Sequence, residues 1–396
     1  MRINPVKQSA AGLVAIGIVA AALCGAGNPS VLNAGASAQA LSRVGAANEF
    51  ASTSITVSAV SNAKAAPYNA KGDGVTDDSA ALQAWLNAGG TRLADGTYRI
   101  TKGLILNGDN RRFQTENAKI VADGTNITAL TVTGRNAIVS AYIDGKNKAS
   151  DGVKVTGPGA VLENGWYENF RSTTQSARGI EARTTGGITI RNNVIRNVVS
   201  VGDTTLGNGD GASRGIVLSG PAAATAASVI SANLIQNITG EEGDAIQVLF
   251  FDGKTSTPFS SGRVAVSDNT IWNVSRRFIK IQASDVTVQR NKLNFYLTTS
   301  PTNPATSIDV IHSENVKVIG NEVNPNLLGP VVIAVRGPMG VPLRGIEVSS
   351  NIIRQAATKK SIGIYLTWTT DPIIQENLIS VNGTAVQMSY TTGALR

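Results

Sequence analysis

Cysteine is all but missing from this chain: of 396 residues only Cys24 carries a thiol. Arg2 and Lys7 precede an apolar run from Ala10 to Leu23, and the small residues of ASAQA, Ala36 to Ala40, follow it. That order is the pattern of a secretory signal peptide over 1–40, with cleavage after Ala38 or Ala40, and implies a secreted or periplasmic protein. Leu23 fits poorly with the small residue that a lipid-modified cysteine needs before it, so Cys24 leaves with the leader. The exported part then has no disulfide and depends on a continuous apolar core. Long hydrophobic runs are also scarce: the leader's own run is short for a membrane span and no later segment approaches the length, which excludes a membrane role after cleavage. Aromatic residues make up only 5% and the basic residues form no run, which weighs against nucleic acid as a partner. The formal charge is +8, and Arg2 and Lys7 are lost with the leader. The remaining positive balance favours a polyanion such as an acidic polysaccharide over a neutral one.

What the chain has in abundance is a repeat. The phrase apolar-x-apolar-x-x-Asn-x-apolar recurs as VLENGWY, ITIRNNVI, VISANLI, VAVSDNTI, VTVQRNKL, VKVIGNEV, IEVSSNII and PIIQENLI. These align Asn164, Asn193, Asn233, Asn269, Asn291, Asn321, Asn351 and Asn377, with steps from 22 to 40 residues. Alternation over four or five residues is a strand signal, and the shortest step cannot hold a strand, a crossover helix and a strand. The units must be coils of an all-β parallel β-helix solenoid, stacked about 4.8 Å apart with the length variation placed in corner loops. Asn suits such a corner because it tolerates left-handed geometry, and stacked copies can form a hydrogen-bonded ladder. Residues 41–64 lack a clear period and read as a linker or first strand, leaving 65–396 as one long domain.

Its entry, 65–100, is the most distinctive stretch outside the repeat. Asp77 or Asp78 can cap a helix with Ala81, Leu82, Trp85 and Leu86 on its apolar face, and Gly89-Gly90 ends it. Such a helix covers the open end of the first coil. Beyond it, Asp95-Gly96 marks a turn between two strands. The phrase GDGVTDDSAALQ, followed by GG and DGTYRI, resembles the pectate-lyase-like superfamily of single-stranded right-handed parallel β-helices, in particular the polygalacturonase-related proteins and phage tailspike depolymerases. The resemblance covers the chain from about Tyr68 onward. It implies a polysaccharide-cleaving enzyme, hydrolase or lyase, although a few members bind or scaffold without catalysis. The Gly-His-Gly and paired-Asp motifs shared by polygalacturonases are missing, since the only His is His312 in IHS and Asp77-Asp78 belongs to the cap. The Asp-Pro-His-Asp pattern of the β-helical C5-epimerases is missing too. No cofactor is called for; no calcium cluster of the pectate lyase kind is evident, and a calcium ion is left open.

Each Asn phrase leads into a second strand, and these align on Ile180, Ile216, Ile246, Ile279, Ile308, Ile333, Ile364 and Val386. Period two then turns out Glu181, Val217, Gln247, Lys280, Asp309, Ala334, Tyr365 and Gln387, and beyond them Arg183, Ser219, Leu249, Gln282, Ile311, Arg336, Thr367 and Ser389. Gln247, Lys280 and Asp309 fall on consecutive coils, about 5 Å apart. Inserts at Val199–Ser213, Phe251–Gly262 and TTSPTNPAT frame this region. A lyase acting on a uronic acid needs a base and cations that stabilise an enolate. Lys280 as base, with Tyr365, Arg277 and Arg336, supplies those types; neighbouring cations would lower its pKa, while Asp309 beside it pushes the other way or forms an ordinary surface ion pair. Arg178, Arg214, Asp244 and Arg277 share parity with the buried positions, which places them at a corner as structural pairs or as receivers of a substrate carboxylate. Gln247 and Gln282 would contact sugar, and His312 closes its strand at the cleft edge. A hydrolase needs paired carboxylates, but Glu181 and Asp309 are four coils, roughly 19 Å, apart. It would have to recruit Glu242 and Asp252, or Glu241, Asp244 and Asp210.

Overall fold

The computed structural model describes residues 62–201, 211–240, 242–251, 258–301, 303–355 and 360–393. The leader, residues 41–61 and the side chains of Asp210, Glu241 and Asp252 lie outside the described residues. Strands return to the same sheet at every third step, building parallel sheets of 12, 10 and 11 strands. The chain is a right-handed parallel β-helix. Coils begin well before the first Asn phrase: the 11-stranded sheet starts at Leu104–Leu106 and ends at Asn382–Ser389, so the eight-unit repeat marks only the later part.

Inside, like residues stack on like. Ile190, Ile230, Val266, Val288, Val318 and Val348 are mutual partners across one wall, and Ile195, Ile235, Ile271, Leu293, Val323 and Ile353 across another. All are fully buried, each contributing about 1.5–3 kcal/mol of apolar transfer. The helix α1 (Ser79–Asn87) lays Leu82, Trp85 and Leu86 over the first coil, where Trp85 meets Phe113 edge-on. Asp78 takes the N-cap position, yet its carboxylate accepts the backbone N–H groups of Lys71 and Gly72, tying down the preceding loop. Asp77 accepts the N–H and hydroxyl of Ser79 and the hydroxyl of Thr101. Gly96–Ile100 is a strand, whereas Arg92 contributes only an isolated bridge to Gln114.

The asparagines form the expected ladder, with a correction at its start. From Asn193 to Asn351 each Nδ2 donates to Oδ1 of the next ladder Asn at 2.9–3.0 Å, and each backbone N–H donates to the same oxygen. The register pairs Glu163 with Arg191, so Gly165, not Asn164, occupies the ladder position in its coil; its N–H donates to Asn193 Oδ1. Left-handed geometry also belongs to the residue before the ladder: Asn164, Asn192, Ala232, Asp268, Arg290, Gly320, Ser350 and Glu376 all have positive φ. Ladder asparagines must aim inward along the axis, and the preceding residue makes the bend. A second column lies four residues on, where Asn169, Asn197, Asn237 and Asn273 all have φ near +55 to +60°. There each Nδ2 donates backwards, to Oδ1 of the preceding coil, at 3.0–3.4 Å.

Candidate functional site

The outer face of the 11-stranded sheet holds the residues that the register singles out. Glu181, Val217, Gln247, Lys280, Asp309, Ala334, Tyr365 and Gln387 pair coil to coil in that order. Lys280 and Tyr365 are therefore three rungs, about 14 Å, apart and cannot act on one bond. Glu181 is tied to Lys154, far from Asp309.

The row Arg178, Arg214, Asp244 and Arg277 is not at a corner. It lies within the strands and points outward, because the residue between it and the core, Gly179, Gly215, Ala245 or Phe278, is buried next to an equally buried Ile. A Cβ on Gly179 or Gly215 would meet Ile195 or Ile235, so this extra position faces the core and resets the alternation in the same register on every coil. A strict period of two would have put guanidinium groups inside, at a prohibitive desolvation cost.

An alternating network results. Arg214 donates to Gln247 Oε1 at 2.6 Å and the Glu242 carbonyl at 2.6 Å, and lies 3.5 Å from Asp244. Arg277 donates to Asp309 at 2.8 Å and to Asp244 at 3.4 Å, and Arg336 donates to both Asp309 oxygens. Asp309 is wholly buried between these two arginines, so it does not form the expected pair with Lys280. Gln247 passes the network on to Gln282 at 2.9 Å. Glu242 receives Arg276 and Arg214; burial alone would raise its carboxyl, but Arg214, Arg276 and Lys280 outweigh this and hold it below the usual range.

Lys280 stands differently. Among the described residues its ammonium makes no hydrogen bond or ion pair, and it is half-buried. Burial pushes its pKa below that of an ordinary lysine; Asp244 pulls the other way, while Arg214 and Arg277 add to the fall. Four arginines, Arg214, Arg276, Arg277 and Arg336, stand around three carboxylates, Glu242, Asp244 and Asp309, so the patch carries one uncompensated positive charge before Lys280 is counted.

Walls stand on both flanks. On one, Thr299, Ser300 and Pro301 of the TTSPTNPAT segment and the preceding Leu297 line a cavity of about 260 Å³ with Gly240 and Ser275, the neighbour of Arg276. On the other, Phe259 stacks on His312 with centroids 5.7 Å apart and meets Phe251 edge-on. Burial, then Arg336, push the His312 imidazole below its ordinary pKa. Sequence reasoning placed His312 at the cleft edge but missed the two phenylalanines, whose position inside an insert carries no periodic signal. Among the described residues no group of three His, Cys, Asp or Glu side chains could hold a metal ion, and no helix is long and apolar enough to cross a membrane.

No protein-family model matches the sequence, and no curated protein matches it closely enough to count as a relative. Similar solved structures exist. The Dettilon tailspike protein superposes with a TM-score of 0.57 at 15% identity, over 83% of this chain and 68% of that one. The Streptococcus pneumoniae surface protein and adhesin PfbA gives 0.56 at 14% identity, covering 83% and 94%. The A-module of the Azotobacter vinelandii mannuronan C-5 epimerase AlgE4 gives 0.51 at 16%, covering 84% and 99%. At such identities the likeness is one of fold.

Proposed function

We propose that this is an exported protein that binds an acidic polysaccharide across the outer face of the 11-stranded sheet and cleaves it by β-elimination. Lys280 carries the reading: an amine with a lowered pKa and no partner among the described residues, inside a patch with surplus positive charge. In the reaction, neutral Lys280 removes the proton beside the uronate carboxylate. Arg336 and Arg276, the more exposed arginines, stabilise the enolate, the glycosidic C–O bond breaks, and the leaving oxygen takes a proton from water. Tyr365, three coils away, contacts a different sugar unit. The similarity to a tailspike, a surface adhesin and a mannuronan C-5 epimerase supports a glycan as the partner. Hydrolysis is less well supported, because Glu242 is held ionised and a glycosidase needs one protonated carboxyl. Binding without cleavage remains the second reading, favoured by the mutual neutralisation of Asp244 and Asp309 with arginines.

The test is ultraviolet absorbance of unsaturated uronate during incubation with alginate, polygalacturonate and hyaluronan. Lys280→Ala is expected to lower that rate roughly 10²–10⁴-fold while leaving the fold intact. New reducing ends without the absorbance, abolished by Glu242→Gln or Asp252→Asn, would replace the lyase with a hydrolase; retention without either signal would leave a binder.

A further inference from the structure

The corner that follows the 11-stranded sheet places one equivalent residue in every coil. In the earlier coils the register puts mostly small residues there, such as Gly134, Gly157 and Ala283, and once the buried Phe250; toward the C-terminus it puts His312, Gly337, Trp368 and Tyr390. His312, Trp368 and Tyr390 adopt φ of 49°, 52° and 53°, a left-handed conformation that bulky residues rarely take. Elsewhere in this chain such bends fall mostly to Asn, Gly, Asp and Ser. Among the described residues of this column from Gly134 onward only His312, Trp368 and Tyr390 have positive φ, so over those coils the left-handed bend is peculiar to the ones that carry these rings, and strain of this kind concentrates at functional sites.

The rings are not there for the core. Tyr390 is 71% exposed and Phe251 37%. The rings form a column parallel to the solenoid axis: Phe251 against Phe259, Phe259 stacked on His312, and Trp368 stacked on Tyr390 at 4.6 Å and 8°. Gly337 interrupts it, leaving His312 and Trp368 two rungs, about 9.6 Å, apart. The column borders the charged patch, since Trp368 follows Thr367, which pairs with Arg336.

We propose that this column is a stacking track that receives the apolar faces of successive pyranose rings and leads the polysaccharide from Lys280 toward the last coil. It rests on the reading of the protein as an acidic-glycan binder. Trp368 and Tyr390 cover each other's facing sides, so a pyranose ring meets the outer side of Tyr390 or the side of Trp368 turned to the Gly337 gap, where flat faces suit sugar C–H groups while arginines take the carboxylates.

The experiment is affinity electrophoresis through gels containing alginate, polygalacturonate or hyaluronan, with thermal melting in parallel, on the parent, Trp368→Asn and Tyr390→Ala. Asn relieves the left-handed strain, so Trp368→Asn is expected to weaken retention at least about tenfold while its melting midpoint stays level or rises by about 2 °C. Tyr390→Ala, at an exposed ring, is expected to weaken retention with the fold intact. Parent retention left unchanged in both variants would overturn the track alone. A fall in melting midpoint with retention unchanged would make the column a structural stack. No retention of the parent by any of the three polymers would overturn the track together with the glycan reading.

Discussion

Lys280 sits between opposing demands, because desolvation and two arginines favour its neutral form while Asp244 favours the charged one. The net direction is downward, so the fraction of free amine grows at lower pH than for an ordinary lysine, near 10.4. Product formation is expected to rise with pH and to reach half its plateau below that value; a pH–rate profile flat through this range, or falling, would remove Lys280 as the base. Asp309 has the opposite character, being a buried carboxylate held by two arginines. Asp309→Asn would leave Arg277 and Arg336 without their shared carboxylate, and a loss of about 3–5 kcal/mol is expected in denaturant titration. A loss under about 1 kcal/mol would show that the network relaxes onto other partners.

Among the elements, the two asparagine columns look alike in sequence and differ in burial. Asn321 is fully buried; its Oδ1 serves both donors of Asn291 and its Nδ2 reaches Asn351. Asn321→Ala would leave a buried backbone N–H unsatisfied and is expected to cost about 3 kcal/mol, whereas Asn273→Ala, at a less buried bend where Nδ2 makes one long 3.4 Å bond and Oδ1 accepts the exposed Tyr296 N–H at 2.9 Å, should cost about 1. Denaturation midpoints that fail to separate the two variants would refute this ranking. The cap helix titrates: despite the burial that opposes it, hydrogen bonds from Ser79 and Thr101 draw the Asp77 carboxyl down to about 2. That contribution is present above the ordinary carboxylate pKa near 3.9 and is lost as pH falls through about 2, so Asp77→Asn should lose its deficit relative to the parent in strong acid. The first column, its coil register and both outer rows were legible because a period of two and a recurrent Asn fix the phase over long distances. The second column was written just as plainly in NVIRN, NLIQN and NTIWN but passes for ordinary strand composition. The arginine row was misread because an extra inward residue, at the same place in every coil, shifts parity by one and a Gly or Ala gives no warning of it. The aromatic corner escaped because side chains favouring strands conceal a left-handed bend.

At the scale of the molecule, each coil touches mainly its neighbours, so stability is a sum of coil and interface contributions, and the ends open first. The last coil leaves Leu378 and Met388 exposed, and the strand Asn382–Ser389 pairs on one side only. Hydrogen exchange is expected to be fastest there and slowest in central strands such as Val194–Ser200; equal protection at both places would contradict that gradient. The ladders add something that neither a core nor a sheet provides. Side chain to side chain, the buried column donates toward the C-terminus, its other amide N–H going back to a carbonyl of the preceding coil, and the second column donates toward the N-terminus. The wall thus holds two antiparallel filaments of side-chain dipoles whose fields oppose each other over the coils they share. They also act as a phase lock: the step from one rung to the next can grow from 22 to 40 residues without disturbing them, but a newly acquired coil must offer its amide at the right place or split the filament in two.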